Sequence, residues 1–372
     1  MRSLARTGRF PRNHKYRLFD FLDVIRRRDF VQEFPNLRVA LVTLFHALQV
    51  RASLKPQISS QEFHMRPQIS AAAVLFVLFA SGYARGQNKT VAERLGYPPA
   101  AKLLIIHADD LAVAHSVDAA SFDALNKNAV TSASIMVPCP WLTEVASYAK
   151  DHPDADLGLH LTLTSEWKTY RWGPLESRDK VPSLYDLSGY LWPETAPAAT
   201  NEKSQEAERE IRAQIERAIA LGIHPTHLDS HMGVLFSTPE LFAVYVKVAH
   251  EYKLPFLAVR IPNAPAQFFS LLSDKDILMD SLVIANPTVH ANEWRDFYVN
   301  AVKNLKPGLT EMIVHLGHDD AELQAVTADH PDYGAAWRQR DYDVMTSPEF
   351  KKVLQENNVI LVKWKDLKKL VN

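Results

Sequence analysis

From Lys102 onward, short apolar runs alternate with segments of helical spacing. Leu103–Ile106, Ala133–Val137, Leu157–Leu163, Thr226–Leu228, Leu257–Ile261, Leu282–Ala285, Glu311–His315 and Val359–Val362 read as strands. Between them, Val117–Asn126 (with Ser116 as N-cap), Trp141–Lys150, Glu202–Leu221 (ended by Gly222), Pro239–Tyr252 and Glu293–Leu305 read as helices. Strand followed by helix at this spacing argues a parallel sheet with helical crossovers. Seven or eight such units over about 270 residues suit one distorted (βα) TIM-like barrel better than two domains. The stretch Thr164–Thr200 has no regular period and is rich in Pro, Trp, Tyr and Gly. It is too long for a passive connection and predicts a binding loop. Its Trp167 and Trp172 would either stack on sugar rings or pack the loop onto the barrel.

Composition changes the picture at the N-terminus. The 372 residues carry 42 Lys+Arg against 43 Asp+Glu, a balance that gives no reason to expect a nucleic-acid partner. Residues 1–84 alone hold 13 basic and 5 acidic residues, so the remainder is acidic. From Met65 the chain reads MRPQISAAAVLFVLFASGYARGQ, with a basic start, ten apolar residues from Ala71 to Ala80, and small residues at Gly82 and Ala84. That layout predicts a signal peptide over 65–84 and export to the periplasm or outside the cell, a buried helix being the other reading. The run is too short for a stable membrane anchor, which needs about 20 apolar residues. Residues 1–64 then precede the start of the signal and are read as lying outside the fold and the mature protein. The barrel occupies 100–372. A single cysteine, Cys139, excludes an intrachain disulfide and a multi-cysteine zinc site.

Candidate chemistry falls at strand ends. His107, Asp109 and Asp110 follow the first apolar run, and His160 lies inside the third. His227, Asp229 and His231 surround the fourth in HLDSH, and His315 closes the Glu311–His315 strand. In a parallel α/β architecture these ends share one face, where active sites are built. Adjacent buried acids are costly unless a cation compensates. One carboxylate with two histidines is a common open ligand set for a divalent ion, which makes bound water a nucleophile near neutral pH.

The blocks LLIIHADDLAVAHSVDAA, VTSASIMVPCPW, LGLHLTLT, PTHLDSHMG and EMIVHLGHDD occur in the order seen in the YdjC-like carbohydrate deacetylases, the family of the chitooligosaccharide deacetylases, which the chain therefore resembles. The resemblance spans Lys102 to Asp366. It implies removal of N-acetyl groups from an acetylated amino sugar or oligosaccharide. One divalent metal ion, Mg²⁺ or Zn²⁺, would be held by Asp110, His160 and His231. Asp109 would be the general base, and His315 would protonate the leaving amine. The chain departs from the family at His107, where Asn is usual, at Leu111-Ala112, where Phe-Gly is usual, and at Met232-Gly233, where histidines often follow HLDSH. His107 is then a substrate contact or a strand-end residue, Asp229 an orienting carboxylate for His160 or His231, and Arg260 a partner of Asp109 or substrate, or a surface ion pair. Two other outcomes fit the same residues. One is a metal-dependent hydrolase of a phosphoester or non-sugar amide; the other is a secreted carbohydrate-binding protein without catalysis.

Overall fold

Ten consecutive residues, Lys102–Leu111, form the central strand β1, and all but the first are buried. In the computed structural model, which describes residues 89–260, 268 and 270–371, six more strands assemble around it. The readings over 1–64 and 65–84 lie outside the described residues, as does Ile261. β6 (Gly308–Val314) lines one edge of β1, from the pair Lys102–Gly308 to the pair Ala108–Val314. The other edge is shared. β7 (Val359–Leu361) takes its first half and β2 (Ser132–Ile135) its second. β3 (Leu157–Leu161) and β4 (Leu228–Ser230) continue from β2, and β5 (Ser281–Ile284) continues from β6. Every pairing is parallel.

The two outer edges approach one another through isolated bridges, Leu228–Phe256 and Val259–Met279. The sheet is thus curled into a distorted TIM-like barrel. The expected strand Leu257–Ile261 contributes bridges only. Pro255 and Pro262 bracket it, and proline supplies no N–H to a ladder.

Alternation along the strands sorts the core into two layers. Leu104, Ile106 and Ala108 of β1 join the larger cluster with Val117, Ala120 and Ala124 of the helix His115–Asn126. Leu103 and Ile105 instead meet Leu309, Ile313, Trp364 and Leu367, so the helix Trp364–Val371 closes this second cluster. Each buried Leu or Ile here contributes roughly 1.5–3 kcal/mol.

The helix Ser204–Ala220 buries Ala207, Ile211, Ile215 and Ala218 at helical spacing. It ends as expected at Gly222, whose φ of 83° lets the Ile223 N–H return to Ala218 O. At His115–Asn126 the expected cap is replaced. Ala114 is the N-cap and offers no side-chain hydrogen bond. Ser116 sits inside the first turn, its Oγ 2.7 Å from both Asp320 Oδ1 and Glu322 Oε2, which share its one hydroxyl proton. Glu322 also accepts from the His115 and Ser116 N–H groups, so an acid from beyond β6 satisfies the donors a local cap would have taken.

Candidate active site

Two neighbouring acids on one strand should face opposite sides. β1 escapes this at its end. Its register against β2 shifts between Ala108 and Leu111, and Asp110 and Ala112 adopt φ of 72° and 75°. The irregularity re-aims the chain, as bulges do beside active sites, and aspartate tolerates the left-handed region better than most residues. Asp109 and Asp110 therefore both line one cavity of about 470 Å³.

Asp110 Oδ1 lies 3.4 Å from His160 Nε2 and 3.4 Å from His231 Nδ1. The three atoms fall within 4.8 Å of one another, and all three residues are buried. Asp110 Oδ1 has no hydrogen-bond partner, while Oδ2 accepts from the Arg338 guanidinium at 2.7 Å. A buried carboxylate oxygen that accepts no hydrogen bond and faces two imidazoles is suited to binding a cation. Donors about 2.0–2.2 Å from one ion stand roughly 3–3.5 Å apart, so this set fits a small divalent ion. Each imidazole is also oriented from behind. His160 Nδ1 meets Asp229 Oδ1 at 2.6 Å, and His231 Nε2 meets Glu166 Oε2 at 3.0 Å. Burial opposes protonation of His231, but Glu166 and Asp110 outweigh it and raise its pKa to about 10. Burial likewise works against the charge on Asp110, yet Arg338 and His231 hold its carboxyl well below the usual range.

Asp109 Oδ2 stands 3.7 Å from His160 Nε2 and 3.9 Å from His315 Nε2. Burial lowers the pKa of His315 to about 4, so its ring is neutral at neutral pH. Asp341 Oδ2 accepts the His315 backbone N–H, and Tyr333 packs edge-on against the ring at 4.9 Å.

Beneath these groups lies a second polar layer. His107 Nε2 hydrogen-bonds Asp229 Oδ2 and Ser134 Oγ, both at 3.0 Å, with Asp109 Oδ1 at 3.1 Å. Burial disfavours a charge on His107, but Asp109, Asp229 and Glu311 together raise its pKa well above the ordinary value. Glu311 accepts from Trp364 Nε1 at 2.8 Å, and burial pushes its pKa up to about 7. His227 stacks on Trp364 with ring centres 4.8 Å apart, and burial lowers its pKa well below the usual value. Gly158 on β3 gives this ring its room, since a Cβ there would collide with it.

The strand-end residues His107, Asp109, Asp110, His160, Asp229, His231 and His315 are thus brought together, His107 and Asp229 as a lower layer outside the cavity lining. Trp167 lines the cavity. Trp172 does not; its Nε1 donates to Thr164 O and its ring packs 6.2 Å from His231. Tyr170, Tyr185 and Trp192 are hooked in the same way to Val113, Glu176 and Ser183 carbonyls, so most aromatics of Thr164–Thr200 hold that segment in place. The segment also contains the start of a helix, Thr195–Asn201.

Arg260 is not a partner of Asp109. Its side chain is 62% exposed and faces Asp280 at 3.4 Å, the surface pair. The cation at the site is Arg338 instead, buried on the helix Ala335–Met345. Periodicity hides that helix because its inward stripe contains Arg338 and Asp341, charges where apolar residues are expected. Glu166 escapes notice for another reason: it sits in the aperiodic segment, and only its place directly before Trp167 marks it.

Known proteins share both the sequence pattern and the fold. The family described as YdjC-like protein matches residues 103–356. A carbohydrate deacetylase of Thermus thermophilus is 32% identical over 277 residues, covering 71% of this chain and 93% of that protein. A carbohydrate deacetylase of Geobacillus stearothermophilus is 29% identical over 276 residues, covering 72% and 98%. Among solved structures, an Enterococcus faecalis V583 protein named for cellobiose-phosphate cleavage shares the fold with a TM-score of 0.60 at 24% identity, over 72% of this chain and 99% of that one.

Proposed function

Since the chain belongs to the YdjC-like family, we propose that it removes N-acetyl groups from an acetylated amino sugar or oligosaccharide, using one divalent metal ion. The observation that carries this reading is the unpartnered Asp110 Oδ1 between His160 Nε2 and His231 Nδ1, with Asp109 and His315 beside it. The relatives named carbohydrate deacetylases support the same substrate class. Asp110, His160 and His231 would hold the ion, Zn²⁺ suiting two imidazoles and a carboxylate and Mg²⁺ being the other candidate. When bound, such an ion polarises a carbonyl and lowers the pKa of water.

The chain's own groups supply the proton handling. Asp109 takes a proton from the attacking water at Oδ2, the oxygen facing the cavity. The departing nitrogen needs a proton before it can leave. His315 rests neutral, so it does not bring that proton with it. It accepts one at Nε2 from the Asp109 side, 3.9 Å away, and passes it to the amine. Asp341 fixes the His315 backbone for this transfer. The apolar wall of Phe236, Leu257 and Ile313 faces the sugar ring and acetyl methyl, while Trp167, buried against Tyr170, Trp172 and Arg338, braces the cavity from behind.

Acetate release from a panel of acetylated amino sugars, with metal content measured on the same protein, tests the reading. Asp109→Asn is expected to lower turnover by about 10²–10⁴-fold with metal retained. Phosphoester hydrolysis without acetate release, or sugar binding without turnover, would overturn it. Export belongs to the same proposal, and sequencing the native N-terminus checks it: a mature chain starting near Arg85 supports it, and one starting at Met1 refutes it.

A further inference from the structure

His107 stands two residues before Asp109 on the interior-facing side of β1, between β2 and β6 at the pairs His107–Ser132 and His107–Ile313. It is 1% exposed and does not line the cavity, so substrate does not reach it. One nitrogen of its ring faces three oxygens, of which Asp109 Oδ1 accepts no hydrogen bond and is met by proximity and charge alone. Nε2 hydrogen-bonds Asp229 Oδ2 and Ser134 Oγ, and Asp109 Oδ1 is 3.1 Å away. The second oxygen of each carboxylate points elsewhere. Asp229 Oδ1 meets His160 Nδ1 at 2.6 Å, and Asp109 Oδ2 faces His160 and His315. Two buried carboxylates this close repel one another unless a cation or donor lies between them. Ser134 supplies a hydroxyl but no charge.

We propose that His107 is a positioning residue whose Nε2 edge clamps Asp109 and Asp229 together, so that the base and the carboxylate behind His160 are set by one group. The roles assigned to Asp109 and His160 rest on the function proposed above; the contact itself does not. The clamp acts on two steps at once. It keeps Asp109 Oδ2, not Oδ1, turned to the cavity, and it keeps Asp229 Oδ1 on His160 Nδ1, which leaves His160 Nε2 for the ion. The lower group His107, His227 and Asp229 also has donor atoms within 4.8 Å of one another, and the clamp predicts that no ion sits there.

The test compares His107→Leu, which removes the nitrogen, with His107→Gln, whose amide N–H reaches a similar point. In the full chain, His107→Leu should lower kcat about 10–100-fold with KM changed by less than about threefold, and with one metal per chain retained. His107→Gln should recover most of that loss. Unchanged kcat in the leucine variant, or a glutamine variant no better than the leucine one, would overturn the clamp. Two metal ions per wild-type chain, one lost in His107→Leu, would do so as well by making His107 a ligand. Ring-nitrogen NMR of wild-type protein gives a readout that needs neither turnover nor a foldable leucine variant. A proton on His107 Nε2 before and after zinc addition is expected, and a bare Nε2 refutes the proposal. Failure of acetate release would refute the function and leave that NMR result standing.

Discussion

Two groups of buried acids and histidines lie one beneath the other in the barrel, built from the same residue types. The upper group, Asp110, His160 and His231, borders the cavity and leaves a carboxylate oxygen without a donor. The lower group, His107, His227, Asp229 and Glu311, is cut off from the cavity, and Trp364 packs against it from the other side. Its acids are met chiefly by other side chains: Asp229 by two histidines, Glu311 by Trp364. The difference shows that residue types alone do not decide which cluster opens to the cavity. Depth in the barrel does, since both groups hold buried polar atoms without partners and only the upper one lines the cavity. The lower group braces the upper one through Asp229, whose Oδ1 meets His160 Nδ1.

Breaking the upper group should have the largest effect. His231→Ala removes one candidate ligand, and both metal content and acetate release should fall to background; a variant retaining full activity would dissolve the distinction between the layers. A smaller effect is expected behind the ligands. Glu166→Ala leaves all three ligand atoms in place but frees the His231 ring, so metal affinity should weaken by about 10–100-fold in a competition titration with a chelator. The lower layer should respond in stability more than in activity. Trp364→Phe keeps a ring against His227 but deprives buried Glu311 of its donor, costing roughly 1–3 kcal/mol in denaturant unfolding with kcat within about twofold. Arg260→Ala should do least. Its ion pair with Asp280 is exposed, and stability should stay within about 0.5 kcal/mol with activity unchanged.

The two layers also differ in how far they could be read along the chain. Six of strands β1 to β7 appear where an apolar run predicted one, β4 starting only at Leu228, the last residue of its expected span, and the acids and histidines at their ends do converge, because parallel pairing places C-terminal ends on one side. The irregularity that turns both Asp109 and Asp110 inward was not legible, since it depends on the register between β1 and β2. Nor were Arg338 and Glu166, which reach the site from a helix and an aperiodic segment 228 and 56 residues beyond Asp110 in the chain. The charge expected from Arg260 comes from Arg338, and the side chain of Trp172 braces the segment instead of facing substrate.

Local periodicity and the five blocks thus determine the barrel class, the family and the short list of polar groups, because these depend on residues near one another in sequence. Depth within the barrel was decided only by the tertiary structure. Whether a histidine meets solvent, an acid or another ring depends on how far each strand is staggered against the next, and a stagger is a property of pairs. That is why His107 and His160, each with apolar neighbours on its own strand, end in different layers: one hydrogen-bonds Asp229 and Ser134 away from the cavity, and the other presents Nε2 to the cavity.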